Sequence, residues 1–469
     1  MMSDRGPQLS LFALTAMVVG SMVGAGIFSL PRSFGAATGV VGALVAWSIT
    51  GLGMYALARV FQMLAETRPD LDAGIFAYAK AGFGHYAGFL AAVGYWLVGC
   101  IADVSYWVLI KSTLGAAFPL FGDGNTIAAV LVSSVGVWIY HGLILRGIKG
   151  ATTLNTIVTC AKIVPIVIFI LLVAFAFKPE TLAANFWGRA PTGAGLFEQV
   201  RATMLVTIFV FIGIEGASVY SRYARKRSDV GAATIIGFLS VLCLMVLVTI
   251  LPYAVLLQAD LASLRQPAMA SALEIVVGRW GGIMVAAGLI VSVLGAYLAW
   301  SLIAIEVLFV AAKSGDMPKF LGAENSKGVP AASLWLSNMV IQVVLVLTLF
   351  SDDAFTTLVK LTSTMVLVPY LLAAAFAVKV TMPMTPRARG PLVWSSIALA
   401  FAAIMIAGAG VQFLLLSALF YAPATILYVV ARREQDQAVF SAVEWTIFAV
   451  LALAAMGGAY GLLTGAILV

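Results

Sequence analysis

Charge is what this sequence has least of. Only 10% of its 469 residues are Asp, Glu, Lys or Arg, against about 25% in soluble globular proteins. That shortfall, with 62% hydrophobic residues and a mean hydropathy of +1.06, excludes a water-soluble domain. Histidine is nearly absent: His85 and His141 are the only two, and each stands alone near the end of an apolar segment, so no metal site is indicated. The three cysteines, Cys100, Cys160 and Cys243, lie within apolar segments and lack CxxC spacing. Neither zinc binding nor a disulfide framework is therefore suggested. Nothing has the form of a P-loop, an HExxH helix or a Ser/His/Asp arrangement. This speaks against an enzyme, and no cofactor is expected. No repeated acidic motif suited to a channel filter occurs either. The polar start, Met1 to Gln8, runs straight into a long apolar segment without a small-residue cleavage pattern, so no removed leader is expected.

What the chain does have is long apolar runs. A span needs about 20 residues, and thirteen such segments are predicted, at 10–35, 38–64, 84–117, 125–144, 152–177, 197–221, 231–257, 270–312, 331–350, 354–380, 391–411, 413–431 and 441–467. The fold class is thus an all-α polytopic membrane protein with 12–13 transmembrane helices. The division near Gly410 is narrow, and Glu444 and Gly457-Gly458 weaken the last span. The third and eighth are long enough to tilt or to project beyond the bilayer. Net charge is +7. It sits in short loops and reflects topology, not nucleic acid. Arg68, Lys80, Arg146, Lys149, Arg222, Arg225, Lys226, Arg227, Lys313, Lys319, Lys327, Lys379, Arg387, Arg389, Arg432 and Arg433 fall on one side. The other side holds little more than Lys178, Arg189 and Arg265. The positive-inside rule then places the N-terminus in the cytoplasm of a cell whose inner (plasma) membrane the chain crosses many times. The stretch Leu71 to Ala79 forms either an interfacial helix or an ordinary connecting helix.

Two spans contain features that a lipid-facing helix does not need. In the first, Gly20-Ser21-Met22-Val23-Gly24-Ala25-Gly26-Ile27-Phe28 places three glycines at membrane depth, where each costs about 1 kcal/mol in a helix. An opened helix bares N–H and C=O groups, which a bilayer tolerates only where protein or a watery cavity satisfies them. In the sixth, Phe211-Ile212-Gly213-Ile214-Glu215-Gly216-Ala217-Ser218 repeats the pattern with a carboxylate beside it. Small-residue helix packing also explains glycines. The buried acid favours a site, because intramembrane ionisable groups are expensive and usually functional. Paired glycine-interrupted spans, five apart, point to inverted repeats, with half-helix N-termini for an anionic group and free carbonyls for a cationic one. A zwitterionic amino acid needs both.

These two stretches resemble the amino acid–polyamine–organocation (APC) superfamily. Within it the chain looks like the basic amino acid/polyamine antiporters, and most like their arginine/ornithine branch. Further matching stretches are Gly94-Tyr95-Trp96, Ala161 to Pro165, Ala311 to Pro318 and Val368-Pro369-Tyr370. The resemblance implies a LeuT/APC-like 5+5 inverted-repeat core with discontinuous helices 1 and 6. Residues 1–177 would form the first repeat, 178–381 the second, and 382–469 helices 11–13. The thirteenth span departs from the twelve of the family's arginine/agmatine member. That relative also implies a homodimer.

Site roles follow from the same resemblance. Backbone N–H groups from Ser21 through Met22, Val23, Gly24 and Ala25 to Gly26 would take the substrate carboxylate. Carbonyls near Val23, Phe209 and Ile212 would take the α-ammonium, with Gly213 allowing close approach. Trp300 corresponds to the substrate-stacking tryptophan, and Phe209 replaces another. Asp103 stands where the arginine/agmatine antiporter has asparagine. It would pair with a cationic side chain, the alternative being a solvated acid in a vestibule. Thr362 aligns with a substrate-contacting serine. Tyr95, Glu215 and Tyr370 resemble a cytoplasm-side gate. Lys162 would stand in for a bound sodium ion, its alternative being a snorkelling lysine. The expected function is exchange of arginine, with ornithine as the counter-substrate, by alternating access. A lysine, histidine or agmatine/polyamine exchanger and a proton-coupled permease remain open alternatives. The expected partners are small amino acids and the lipid bilayer.

Overall fold

The computed structural model describes residues 10–68, 70–71, 74–147, 151–188, 195–215, 227–383 and 389–467. Among them there are helices, turns and no strand. The helices are α1 (Leu11–Met22), α2 (Leu30–Gly35), α3 (Val40–Thr67), α4 (Ile75–Phe83), α5 (His85–Gly115), α6 (Ile127–Leu145), α7 (Ala151–Phe175), α8 (Pro179–Ala184) and α9 (Leu196–Phe209). They continue as α10 (Arg227–Ile250), α11 (Gln258–Ser263), α12 (Ala268–Val277), α13 (Arg279–Lys313), α14 (Ala331–Leu347), α15 (Ala354–Thr381), α16 (Arg389–Gly408), α17 (Val411–Arg433) and α18 (Ala442–Leu463). Ten helices are long and apolar enough to cross a membrane, or eleven with the bent pair α1 and α2 counted as one span. α7 and α9 fall in two further predicted spans, 152–177 and 197–221, and each adjoins residues outside the description. The chain is a multi-pass membrane protein.

Burial ranks the helices. α5 is the hub. It is apolar on every side and buried along nearly its whole length, against α4, α13, α14 and α15, as a helix without a polar face must be. Its 31 residues span about 46 Å at 1.5 Å per residue, well beyond a hydrocarbon core of about 30 Å. α18 is the opposite case. It packs chiefly on α17 and leaves Val450, Leu453, Met456 and Tyr460 at least 60% exposed, a surface made for lipid. Its start is well defined nonetheless. Ser441 and Glu444 form a capping box, which satisfies two orphan N–H groups. Glu444 also accepts the backbone N–H of Tyr86 at 3.2 Å, tying the last helix to the first turn of α5. Glu444 is thus the polar anchor of the thirteenth span, although in the sequence it counted against that span.

The predicted eighth span, 270–312, is corrected. It divides at Gly278, whose φ of 88° ends α12 and restarts the chain as α13. Gly84, with φ 92°, does the same between α4 and α5. Both glycines are in the left-handed region that other residues enter only at a cost. A short helix, a left-handed glycine and a very long helix therefore occur once in each half of the chain. The stretch Leu71 to Ala79 falls partly outside the described residues, at 72 and 73; the rest enters α4. Ile75, Phe76, Ala77, Tyr78 and Ala79 are buried, so α4 is a packed connecting helix and not a surface one. Lys80 extends from it to the fully buried Asp316 at 2.8 Å, fastening α4 to the turn after α13.

Replacing Gly278 by alanine meets no steric obstacle, so its cost is conformational, about 1–2 kcal/mol. Gly142, inside α6 and also facing open space, should gain about 0.5–1 kcal/mol from the same change. Thermal unfolding in detergent should move in opposite directions for the two variants. A shared direction would contradict the assignment of Gly278 as a helix-breaking hinge between α12 and α13.

Candidate functional site

The first break lies between α1 and α2. The Gly24 N–H turns back to the Met22 carbonyl at 3.0 Å, and a 3-10 turn, Ala25–Ser29, follows. The two helices meet at a bend of 47°. A helix that starts afresh at Ala25 presents its first amides without intrahelical acceptors. The second break follows α9 at Phe209. Val210 to Glu215 form consecutive turns, with Phe211 donating to the Ile208 carbonyl and Ile212 to that of Phe209. The continuation, Gly216 to Ser218 and on to 226, lies outside the described residues.

The two breaks touch. Ser21 directs its hydroxyl at the Gly213 carbonyl at 3.0 Å, and at the Val18 carbonyl of its own helix at 2.8 Å. Gly213 has φ 103°, and a Cβ there would lie 2.9 Å from the Ser21 carbonyl oxygen. Gly26 is constrained differently. A Cβ there would lie 2.6 Å from Val210 and 2.8 Å from Phe209. Glycine is needed at one position for the backbone angle and at both for the approach. Lys162 completes the junction. Nearly fully buried in α7, it donates from Nζ to the Gly20 carbonyl at 2.9 Å. That oxygen belongs to the last turn of α1, whose carbonyls lack partners within the helix. The buried ammonium thus supplies the donor that this carbonyl otherwise lacks.

Between the breaks is a cavity of about 10 Å³ lined by ten residues: Ser21, Met22, Gly24, Gly26, Ala102, Tyr106, Phe209, Val210, Ile212 and Trp300. That is room for about one water molecule, so the conformation is closed. Seven of the residues named from the sequence line it. Val23, Ala25 and Gly213 belong to the breaks but are not among the residues that line the cavity. Thr362 is not brought to the cavity. It is buried in α15 and donates to the Leu358 carbonyl of its own helix at 2.7 Å, which leaves its hydroxyl proton committed. Asp103 is also off the wall. It follows Ala102 in α5 and is wholly buried. Its Oδ2 accepts from Ser301 at 2.7 Å, while Oδ1 has no hydrogen-bond partner. The Tyr297 hydroxyl and Trp107 Nε1 are likewise buried without partners, and their rings lie 5.4 Å apart. Sequence reasoning missed Tyr106, whose hydroxyl would meet a methyl on Gly24 at 3.3 Å. One turn from Ala102 on the same face of α5, it is reachable from the helical period once Asp103 is suspected.

Beside the cavity, Tyr95 and Tyr370 both donate to Glu215, one to each carboxylate oxygen, the second at 2.8 Å. All three are buried. Tyr95 also packs against Trp300, ring centroids 6.1 Å apart. The cluster joins α5, the second break and α15 across one end of the cavity.

Two glycine-broken stretches facing each other across a closed cavity, inside a bundle of apolar helices, define a membrane carrier fold of the secondary-transporter class. The comparisons with known proteins agree. A family model described as amino acid permease matches residues 9–432, and the chain belongs to that family of the APC superfamily. It is 47% identical to an arginine/ornithine antiporter of Pseudomonas aeruginosa, over 99% of both chains. It is 40% identical to an L-lysine transport protein of Corynebacterium glutamicum, covering 98% of this chain and 96% of the other. It is 37% identical to an arginine/agmatine antiporter of Chlamydia abortus, over 97% of both.

The junction makes a stability prediction. Lys162→Met leaves the Gly20 carbonyl buried without its donor, a loss of about 1–3 kcal/mol. Unfolding in detergent should show a lowered midpoint. An unchanged midpoint would mean that the ammonium does not hold the end of α1.

Proposed function

We propose that this chain exchanges arginine for ornithine across the inner (plasma) membrane by alternating access, with its N-terminus in the cytoplasm. Residues 1–177 and 178–381 act as the two inverted repeats, and 382–469 as peripheral helices. The observation that carries this reading is the buried Asp103, with one carboxylate oxygen lacking a hydrogen-bond partner and the other bonded to Ser301. Asp103 and Ser301 are sequence neighbours of the Ala102 and Trp300 that line a cavity formed by two broken helices. The recurring short helix, left-handed glycine and long helix in each half support the repeat division. The name of the Pseudomonas aeruginosa relative supplies the exchange pair.

The chemistry follows from the groups present. The freshly started turn at Ala25 offers N–H groups, with the positive end of its dipole, to the α-carboxylate. The carbonyls of Val23, Phe209 and Ile212 offer second lone pairs to the α-ammonium. The cationic side chain lies over Trp300, an attraction of about 0.5–2 kcal/mol, and reaches toward Asp103. Arginine and ornithine both supply donors to a carboxylate, so one group serves both. Each carries one positive charge, and one-for-one exchange moves no net charge. The cavity must widen to admit either, and the Tyr95–Glu215–Tyr370 cluster is the barrier that opens toward the cytoplasm. Lys162 takes the place of a sodium ion at the end of α1. None of these steps forms or breaks a covalent bond.

Counterflow in proteoliposomes tests the reading. Vesicles loaded with ornithine should take up labelled arginine saturably and without ion conductance. Lysine, histidine, agmatine and a neutral amino acid, each loaded in turn, rank the alternatives. Uptake equal with empty and ornithine-loaded vesicles would contradict exchange. Asp103→Asn should raise the half-saturation concentration for arginine and ornithine about tenfold, the order of one lost charge-assisted contact. Unchanged affinity for both would remove Asp103 from the side-chain subsite. Replacing external sodium by choline should leave uptake unaltered, and stimulation by sodium would contradict the role given to Lys162.

A further inference from the structure

Four side chains form a polar patch where α5 meets α13. Asp103 and Trp107 stand one turn apart on α5, and Tyr297 and Ser301 one turn apart on α13. The helices touch at both levels. Ser301 donates to Asp103 Oδ2 at 2.7 Å, and the rings of Trp107 and Tyr297 lie 5.4 Å apart, edge to face. Three polar atoms of this group have no hydrogen-bond partner: Asp103 Oδ1, Trp107 Nε1 and the Tyr297 hydroxyl. The residues that carry them are at most 5% exposed. The Tyr297 hydroxyl faces Trp107 and Ser301 and lies in the field of the Asp103 carboxylate, so the three atoms share one neighbourhood.

Packing keeps each of them where it is. The Trp107 indole is wedged against Gly136 of α6, where a Cβ would collide with the ring. Tyr297 also packs edge-on against Tyr140, ring centroids 4.9 Å apart, and the Tyr140 hydroxyl is committed to the Leu294 carbonyl at 3.3 Å. Asp103 is pinned through its other oxygen by Ser301. A buried polar group left unmatched costs more than a hydrogen bond returns, and native proteins match such groups with protein or with water. One acceptor, one donor and one hydroxyl that can be either are the complement of a single water molecule, which needs a few polar partners.

We propose that Asp103, Trp107 and Tyr297 hold one bridging water through which the carboxylate receives ornithine, and that arginine displaces this water and meets the carboxylate directly. The inference rests on the reading of the chain as an arginine/ornithine exchanger with Asp103 as partner of the substrate's cationic end. With both headgroups fixed at the breaks, the ornithine ammonium falls level with the first nitrogen of arginine's guanidinium. It stops short of the terminal nitrogens by one carbon and one nitrogen, and the water fills that gap. The water accepts from Trp107 Nε1 and from the ornithine ammonium, and it donates to Asp103 Oδ1 and to the Tyr297 oxygen. Arginine donates its own N–H groups to those two oxygens and leaves Trp107 Nε1 unmatched. Trp107 is therefore a donor that only the shorter substrate uses. A water-mediated contact is nearly as favourable in enthalpy as a direct one, so one carboxylate serves two substrates of unequal length.

Competition against labelled arginine, measured on the purified full chain, tests this. Trp107→Phe keeps an aromatic ring and removes the donor. It should raise the ratio of the ornithine to the arginine inhibition constant about fivefold, the order of one lost hydrogen bond. Lysine, whose ammonium reaches one methylene further into the water's place, should follow arginine. Tyr297→Phe removes an oxygen that both substrates use, so both constants should rise together and the ratio should hold. Lost packing alone weakens every ligand alike. A wild-type ratio in Trp107→Phe therefore overturns the bridging water, and so does a lysine constant that tracks ornithine. An experimental structure of the wild-type chain with bound ornithine gives a reading that needs no variant. A water within hydrogen-bond distance of Trp107 Nε1, Asp103 Oδ1 and the ligand ammonium supports the proposal, and an ammonium placed directly on Asp103 overturns it. Absent counterflow in wild type would overturn the exchange reading, while competition binding would still decide the water.

Discussion

A polar backbone group at membrane depth must have a partner, and the centre of this protein is organised by that requirement. Opening α1 at Gly24 and α9 at Phe209 exposes carbonyls and amides where no bulk water reaches. The protein satisfies them with groups from elsewhere in the bundle. Lys162 takes the Gly20 carbonyl, and Ser21 takes that of Gly213. Each contact crosses from one helix to another, so satisfying the backbone also positions the two breaks against each other. The cavity is a consequence. It lies where broken ends converge and where a side chain at Gly26 would collide with Phe209 and Val210.

The surrounding elements fix how that junction is used. α5, buried along nearly its whole length, contributes Ala102 and Tyr106 to the cavity, and also carries the buried Asp103 and Tyr95, the latter packed on Trp300. One helix thus carries the residues proposed for recognition and for closure in a stretch of about three turns. Glu215 belongs to the second break and accepts from tyrosines on α5 and α15. On the proposed reading, movement of the break and opening of that barrier are one event. The proposed headgroup contacts come from backbone, which every amino acid substrate can use. On the proposed reading, discrimination falls to side chains outside the breaks, on α5 and α13.

Much of this architecture was legible in the sequence, because hydropathy and glycine placement are local signals. Most of the apolar spans, the two breaks, the Tyr95–Glu215–Tyr370 cluster and the lysine beneath the first break could all be placed by residue number. What was not legible depends on direction. The run from 270 to 312 is continuously apolar, and nothing in its composition reports that Gly278 is left-handed. Asp103 lies on the correct turn of α5, but its carboxylate turns toward Ser301. Thr362 was assigned by resemblance, and its hydroxyl is spent on its own helix. Tyr106 was overlooked because an aromatic residue within an apolar helix ordinarily signals packing. The Arg32–Asp353 pair joins residues 321 positions apart, a separation that no pattern along the chain reveals.

The central claim is that the two breaks, held together at Ser21 and Gly213, form one binding site for the amino acid headgroup. An experimental structure of the chain with bound arginine tests it directly. The α-carboxylate should lie within hydrogen-bond distance of the amides between Gly24 and Gly26, with the guanidinium against Trp300 and directed at Asp103. Arginine found with its headgroup on other helices, leaving both breaks uncontacted, would contradict the account.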